Sequence, residues 1–101
     1  MSEGKKFDDK KLRVDLVPPE VMEYLAPIYE YGVNKYGFEN WKKSFDNENQ
    51  NGRDRLYAAA LRHLFAWKKG NEIDEESGFS HLQHAIWNCF TLLWHIKNPR
   101  K

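Results

Sequence analysis

The sequence predicts an all-α fold: a three-helix domain with an extended N-terminal segment, assembling as a helical homo-oligomer. Apolar residues recur at i, i+3 and i+4 through three separate windows, strand-like alternation is confined to one short stretch, and Gly, Pro and Asn fall where helices would stop. At 101 residues there is room for one domain and one modest core.

Residues 1–11, MSEGKKFDDKK, are polar and aperiodic and are expected to be a flexible tail, leaving 12–98 as the single helical domain. In LRVDLVPP, Leu12, Val14 and Leu16 alternate with Arg13 and Asp15, which predicts an extended segment laid on the core and ended by Pro18 and Pro19. The first helix is expected from about Pro19 to about Tyr36. Proline suits its first turn, Glu20 and Glu23 complement its N-terminus, and Met22, Leu25, Tyr29, Gly32 and Tyr36 share a face. Pro27 is expected to kink it, and Gly37 to stop it. From Phe38 to Arg53 the reading is two apolar anchors, Trp41 and Phe45, followed by a polar loop, DNENQNGRD.

Asp54 is placed to cap the second helix, Arg55 to Lys69, whose Leu56, Ala59, Ala60, His63, Leu64 and Trp67 lie along one face before Gly70. A loop dense in acids follows, with Glu72, Asp74, Glu75 and Glu76. Ser80 is placed to cap the third helix, which runs to about Lys97 ahead of Asn98 and Pro99. From Leu82 through Ile96 that helix has no charged carboxylate, ammonium or guanidinium residue, so it is expected to be buried all round. Two other helices can hardly surround it, and a second copy of the chain is expected to supply the missing wall.

Composition excludes several functions. Net charge is +1, with half of the 16 basic residues at the chain ends and the rest offset by acids, so no nucleic-acid partner is expected. The N-terminus lacks an apolar targeting core and the longest uncharged run is too short to span a bilayer; no membrane partner and a cytoplasmic location are expected. The single cysteine, Cys89, permits no intramolecular disulfide and is expected in the core, which argues against nucleophilic use.

The third helix carries His81, His84, Asn88, Thr91 and His95 at steps of three or four, a polar stripe on an apolar rod. Buried, it needs partners at a cost of about 1 to 3 kcal/mol for each group left without one, and either an internal network or a ligand could serve. Arg62 and His63 on the second helix and the acidic loop favour a ligand. So do the free N–H groups at the start of the third helix, which attract phosphate. His81-x-x-His84 with a third histidine and a carboxylate is adequate for zinc or manganese, while the acidic loop suits magnesium. No glycine-rich phosphate loop is present.

Two stretches, LRVDLVPPEVMEYLAPIYEYGVNKYGFENW and RLYAAALRHLFAWKKGNEIDEESGFSHLQHAIWN, resemble the phage-borne domain at the N-terminus of dATP/dGTP diphosphohydrolases. The resemblance runs from about Leu12 to about Trp94. It rests on Tyr31-Gly32, Lys35-Tyr36-Gly37, Asn40-Trp41, Arg62-His63, Trp67, Gly70, Asp74, Glu76-Ser77-Gly78, His81 and His84. The family is distantly similar to the all-α, MazG-like nucleoside triphosphate pyrophosphohydrolases, which hold magnesium with ExxE and ExxD acids on facing helices. Glu20-x-x-Glu23 matches in part; the second and third helices carry no ExxD.

The resemblance implies a metal-dependent purine (deoxy)nucleoside triphosphate pyrophosphohydrolase, with host cytoplasm as its location if phage-encoded. Its catalytic residues would be Asp74, Glu76 and His63, with Mg2+ or Mn2+ on Asp74 and Glu76. Substrate would be held by Arg13, Lys35, Tyr36, Trp41, Arg62, Trp67, His81, His84 and Asn88, cations and imidazoles on phosphate and aromatics on the base. The alternative is a nucleotide-binding protein without catalysis, a sponge for a host nucleotide signal. A protein-interaction module built on the apolar third helix is the third reading.

Overall fold

In the computed structural model, which describes residues 10–43 and 50–99, Pro18 and Pro19 open helix α1 (Pro19–Tyr36). Pro18 is extended (φ −68°, ψ 149°), and Pro19 occupies a first-turn position where a missing N–H costs nothing. At the other end Gly37 takes φ 102°, a conformation side chains rarely adopt, and donates its N–H to the Val33 carbonyl at 2.8 Å. The helix continues through Pro27, and its one buried residue is Ile28.

Four helices, not three, are found among the described residues. Asn40–Lys43 forms a short α2, followed by α3 (Gln50–Lys68) and α4 (His81–Lys97). The expected anchor Trp41 lies in α2; Phe45, the tail residues 1–9 and part of the polar tract lie outside the described residues. The second long helix begins before Asp54, so Asp54 is inside α3 and does not cap it. The reason is a continuous inward stripe: Gly52, Leu56 and Ala60, each four residues apart, are all buried, while Asn51, Asp54 and Arg55 face water.

The N-terminal segment corrects a second expectation. Val14–Leu16 is one 3-10 turn and not an extended strand, closed by Leu16 N–H to Arg13 O (3.1 Å) and Val17 N–H to Val14 O (3.2 Å). Arg13 grips Asp15 through two 2.8 Å hydrogen bonds, which curls the segment. Leu12, Val14 and Leu16 therefore stay exposed and do not cover the core.

Helices α3 and α4 form the main packed pair, a hairpin, with α1 against α4 and Trp41 of α2 wedged beside it. Ser80 caps α4 with a capping box: its hydroxyl accepts from Leu82 N–H (3.1 Å) and its N–H donates to Gln83 Oε1 (3.0 Å). Gln83 Nε2 also donates to the Tyr24 carbonyl at 2.6 Å, tying α4 to α1. The polar stripe faces inward: Asn88, Thr91 and His95 are buried, and His95 Nε2 meets the Trp41 carbonyl at 2.8 Å.

Among the described residues, nothing covers the opposite side of α4. Ile86, Phe90, Leu93 and Ile96, at steps of three or four, are each 41 to 48% exposed, and Cys89 lies exposed on the same helix, not in the core. The radius of gyration is 17.0 Å, against about 13 Å for a compact domain of this length. Among the described residues, no helix is long and apolar enough to cross a membrane.

Candidate functional site

The loop between α3 and α4 sorts its four acids by partner. Glu72 accepts a hydrogen bond from the Ser80 hydroxyl (2.9 Å) and supports the cap. Glu75 is exposed. Glu76 reaches back to α1 and pairs with Lys35 at 2.9 Å, which raises the Lys35 pKa. Asp74 brings its carboxylate to within 3.6 Å of His84. A tight turn sets it there: Gly78, at φ 80°, donates its N–H to the Asp74 carbonyl (2.7 Å), and Ser77 N–H donates to Asp74 Oδ2 (2.9 Å).

Around Asp74 stand three imidazoles from the two packed helices. His63 Nδ1 and His81 Nδ1 face each other at 2.8 Å, so one must hold a proton and the other must not. The His63 and His84 rings stack with centroids 4.6 Å apart. His84 Nε2 shares a 2.6 Å hydrogen bond with the Ser77 hydroxyl and lies 3.6 Å from Asp74 Oδ2. Tyr31 of α1 covers His84 edge-on.

Electrostatics give these groups complementary protonation states. Burial pushes the His63 pKa down, and the neighbouring imidazoles push it further. Burial likewise lowers His84, against the opposing pull of Asp74. Burial acts to raise Asp74, but the hydrogen bonds from Ser77 and the adjacent imidazoles outweigh it and leave the carboxyl below its ordinary value. Neutral imidazoles and an ionised carboxylate are the states that ligate a metal ion. One ligand atom each from His63, Asp74 and His81 lie within 4.8 Å of one another.

Alongside this cluster a cavity of about 880 Å³ opens between α1, α2 and α3. Tyr36, Phe38, Trp41 and Trp87 supply aromatic walls; Arg55 and Arg62, two turns apart on α3, supply cations; Ala58 and Ala59 between them leave room. Glu30, Glu39, Asn40 and Asn88 add to its polar lining. The volume lies within the range of small-molecule pockets. Asn88, buried, donates Nδ2–H to the His84 carbonyl (2.8 Å), and Arg62 precedes His63 in the chain, so cavity and cluster draw on neighbouring positions of both α3 and α4.

The expected site residues therefore divide. Tyr36, Trp41, Arg62 and Asn88 line the cavity, and His63, Asp74, His81 and His84 form the cluster. Lys35 and Glu76 satisfy each other, with the Lys35 ammonium 5.3 Å from the Tyr36 ring centre. Arg13 is held by Asp15 in the N-terminal turn, and Trp67, on the last turn of α3, lies outside the cavity lining. Arg55, Trp87, Phe38 and Ser77 were not expected. Trp87 follows His84 by three residues, a spacing from which it could have been found.

Fold and site define a small all-α domain built on a helical hairpin, with imidazoles and a carboxylate at one end and an aromatic, cationic cavity along its side. The chain belongs to the family described as dATP/dGTP diphosphohydrolase, N-terminal, whose model matches residues 1–101. It is 32% identical over 95 residues to a dATP/dGTP diphosphohydrolase of Salmonella phage PMBT28, a match covering 94% of this chain and 30% of that protein. The chain thus spans less than a third of the relative's length. No solved structure matches.

Proposed function

We propose that this chain takes part in hydrolysing a purine (deoxy)nucleoside triphosphate to the monophosphate and pyrophosphate. The base would stack in the cavity against Trp41 and Tyr36, with Arg62 and Arg55 on the phosphates. The carrying observation is the succession on α3: Arg62 lines the cavity while His63, next in sequence, belongs to the cluster. A triphosphate held by Arg62 would extend toward Asp74 and the three histidines. The phage relative's name supports the substrate class.

Asp74 fits the carboxylate role expected for Mg2+ or Mn2+, being ionised, oriented by Ser77 and turned toward the cluster. Such an ion would shield phosphate charge and lower the pKa of a bound water. His84, held neutral by burial, is suited to take a proton from that water. We further propose that the exposed stripe of α4 joins copies of this chain.

The pairing of Glu76 with Lys35 favours the second reading, capture without cutting, because it leaves Asp74 as the one loop carboxylate at the cluster. Pyrophosphate release from dATP and dGTP with Mg2+ or Mn2+ separates the two. The hydrolase reading expects turnover in the wild type and its loss in Asp74→Asn/Glu76→Gln. Retention of nucleotide with no turnover would replace hydrolysis by sequestration, and turnover surviving the double substitution would remove Asp74 and Glu76 from the catalytic set.

A further inference from the structure

We propose that His63, Asp74 and His81 form a site for one divalent transition-metal ion of the class that takes imidazole ligands, such as Mn2+, Co2+ or Zn2+. The site shares Asp74 with the ion of the hydrolase reading but does not rest on that reading, since an ion would bind there whether or not a nucleotide is cut. Nitrogen-rich ligand sets discriminate against Mg2+, which prefers oxygen donors and dehydrates reluctantly.

The geometry requires little change. Ligand atoms about 2.1 Å from a tetrahedrally bound ion lie about 3.4 Å apart. The three candidate atoms are within 4.8 Å of one another, and the two imidazole nitrogens already meet at 2.8 Å. An ion entering between the rings would replace a contact in which one imidazole must carry a proton toward the other. The longest separation closes by a side-chain rotation at Asp74, which sits in a turn and not within a helix.

The surroundings supply what a metal site needs beyond its ligands. Ser77 N–H holds the Asp74 carboxylate from outside, as outer-shell donors orient ligating carboxylates. His84 stacks on His63 and is itself fixed by the Ser77 hydroxyl, so the ligand ring is held in place from behind. One carboxylate and two neutral imidazoles leave a bound dication with a net positive charge and with coordination positions for water or a phosphate oxygen. Three protein ligands with an open position is the arrangement of catalytic, not structural, zinc.

The test uses the full chain, tag-free, with Cys89→Ser to remove the exposed thiol. After chelation it is titrated calorimetrically with Zn2+ and Co2+ in the absence of nucleotide. One ion per chain is expected, with a raised melting temperature, and Mg2+ in excess should not displace it. His63→Gln and Asp74→Asn should each weaken binding by about tenfold or more. On the wild-type side chains, Zn2+ should shift the His63 and His81 ring resonances in NMR and leave those of His95 in place, a readout independent of how the variants fold. Absence of saturable binding, or binding that shifts neither ring, would overturn the proposal.

Discussion

The imidazoles of His63 and His84 lie stacked across the α3–α4 hairpin, 12° from parallel with centroids 4.6 Å apart. Two rings in that position, half-buried and close to a third imidazole, disfavour protonation in the folded state, and both pKa values lie below the ordinary 6.5. In the unfolded chain the same groups protonate at about 6.5. Below that pH the unfolded state binds more protons, so stability rises with pH. The metal-free protein should therefore lose melting temperature as pH falls from about 7 toward about 5, the loss levelling once the folded-state histidines also protonate. His63→Gln should flatten the profile; an unchanged profile would remove these imidazoles as its cause.

Arg62→Ala should weaken nucleotide binding about ten- to a hundredfold while leaving the melting temperature nearly unchanged, because its side chain is exposed and lines the cavity. Calorimetric titration beside a melting curve reads both quantities. A large stability loss with intact affinity would assign Arg62 to the scaffold.

Tyr36 and Trp41 both line the cavity, yet their substitutions should differ. Tyr36 is 58% exposed, so Tyr36→Ala should lower affinity and spare stability. Trp41 also packs edge-on against Trp94 at 5.3 Å, so Trp41→Ala should cost about 2 to 4 kcal/mol of folding stability as well. Denaturant melts of the two variants check the contrast, and equal stabilities would refute it.

Ser80→Ala should destabilise the protein by about 1 kcal/mol by removing the acceptor for Leu82 N–H. It also frees Glu72, whose bond to the Ser80 hydroxyl helps hold the loop carrying Asp74. Urea unfolding measures the cost. A neutral result would mean that the loop's backbone bonds suffice to start α4.

Light scattering should give a mass above that of one chain at micromolar concentration, since Ile86, Phe90, Leu93 and Ile96 present an uncovered apolar stripe. Phe90→Glu should return the mass to that of a monomer without unfolding it. A monomeric wild type would refute assembly through α4.

The start of α1 at Pro19, the capping of α4 by Ser80 and the inward stripe through Asn88, Thr91 and His95 were legible in the sequence, because each depends on residues within a turn or two of one another. Local pattern misled where it lacked context. Alternation at Leu12, Val14 and Leu16 suggested a strand, but no neighbouring segment pairs with it and the Arg13–Asp15 bond curls it. Cys89 has apolar neighbours in sequence, yet its side of α4 is left uncovered by the described residues. The partners of the acids were not legible at all: Glu76 meets Lys35 across 41 residues, and His63 meets His81 across 18. Such pairings follow from how helices dock, and docking is set by the summed shape of the packed faces. A local turn orients Asp74 and a local cap takes Glu72, but that Glu76 meets a lysine and that Asp74 faces a cluster of histidines was decided by the docking of the helices.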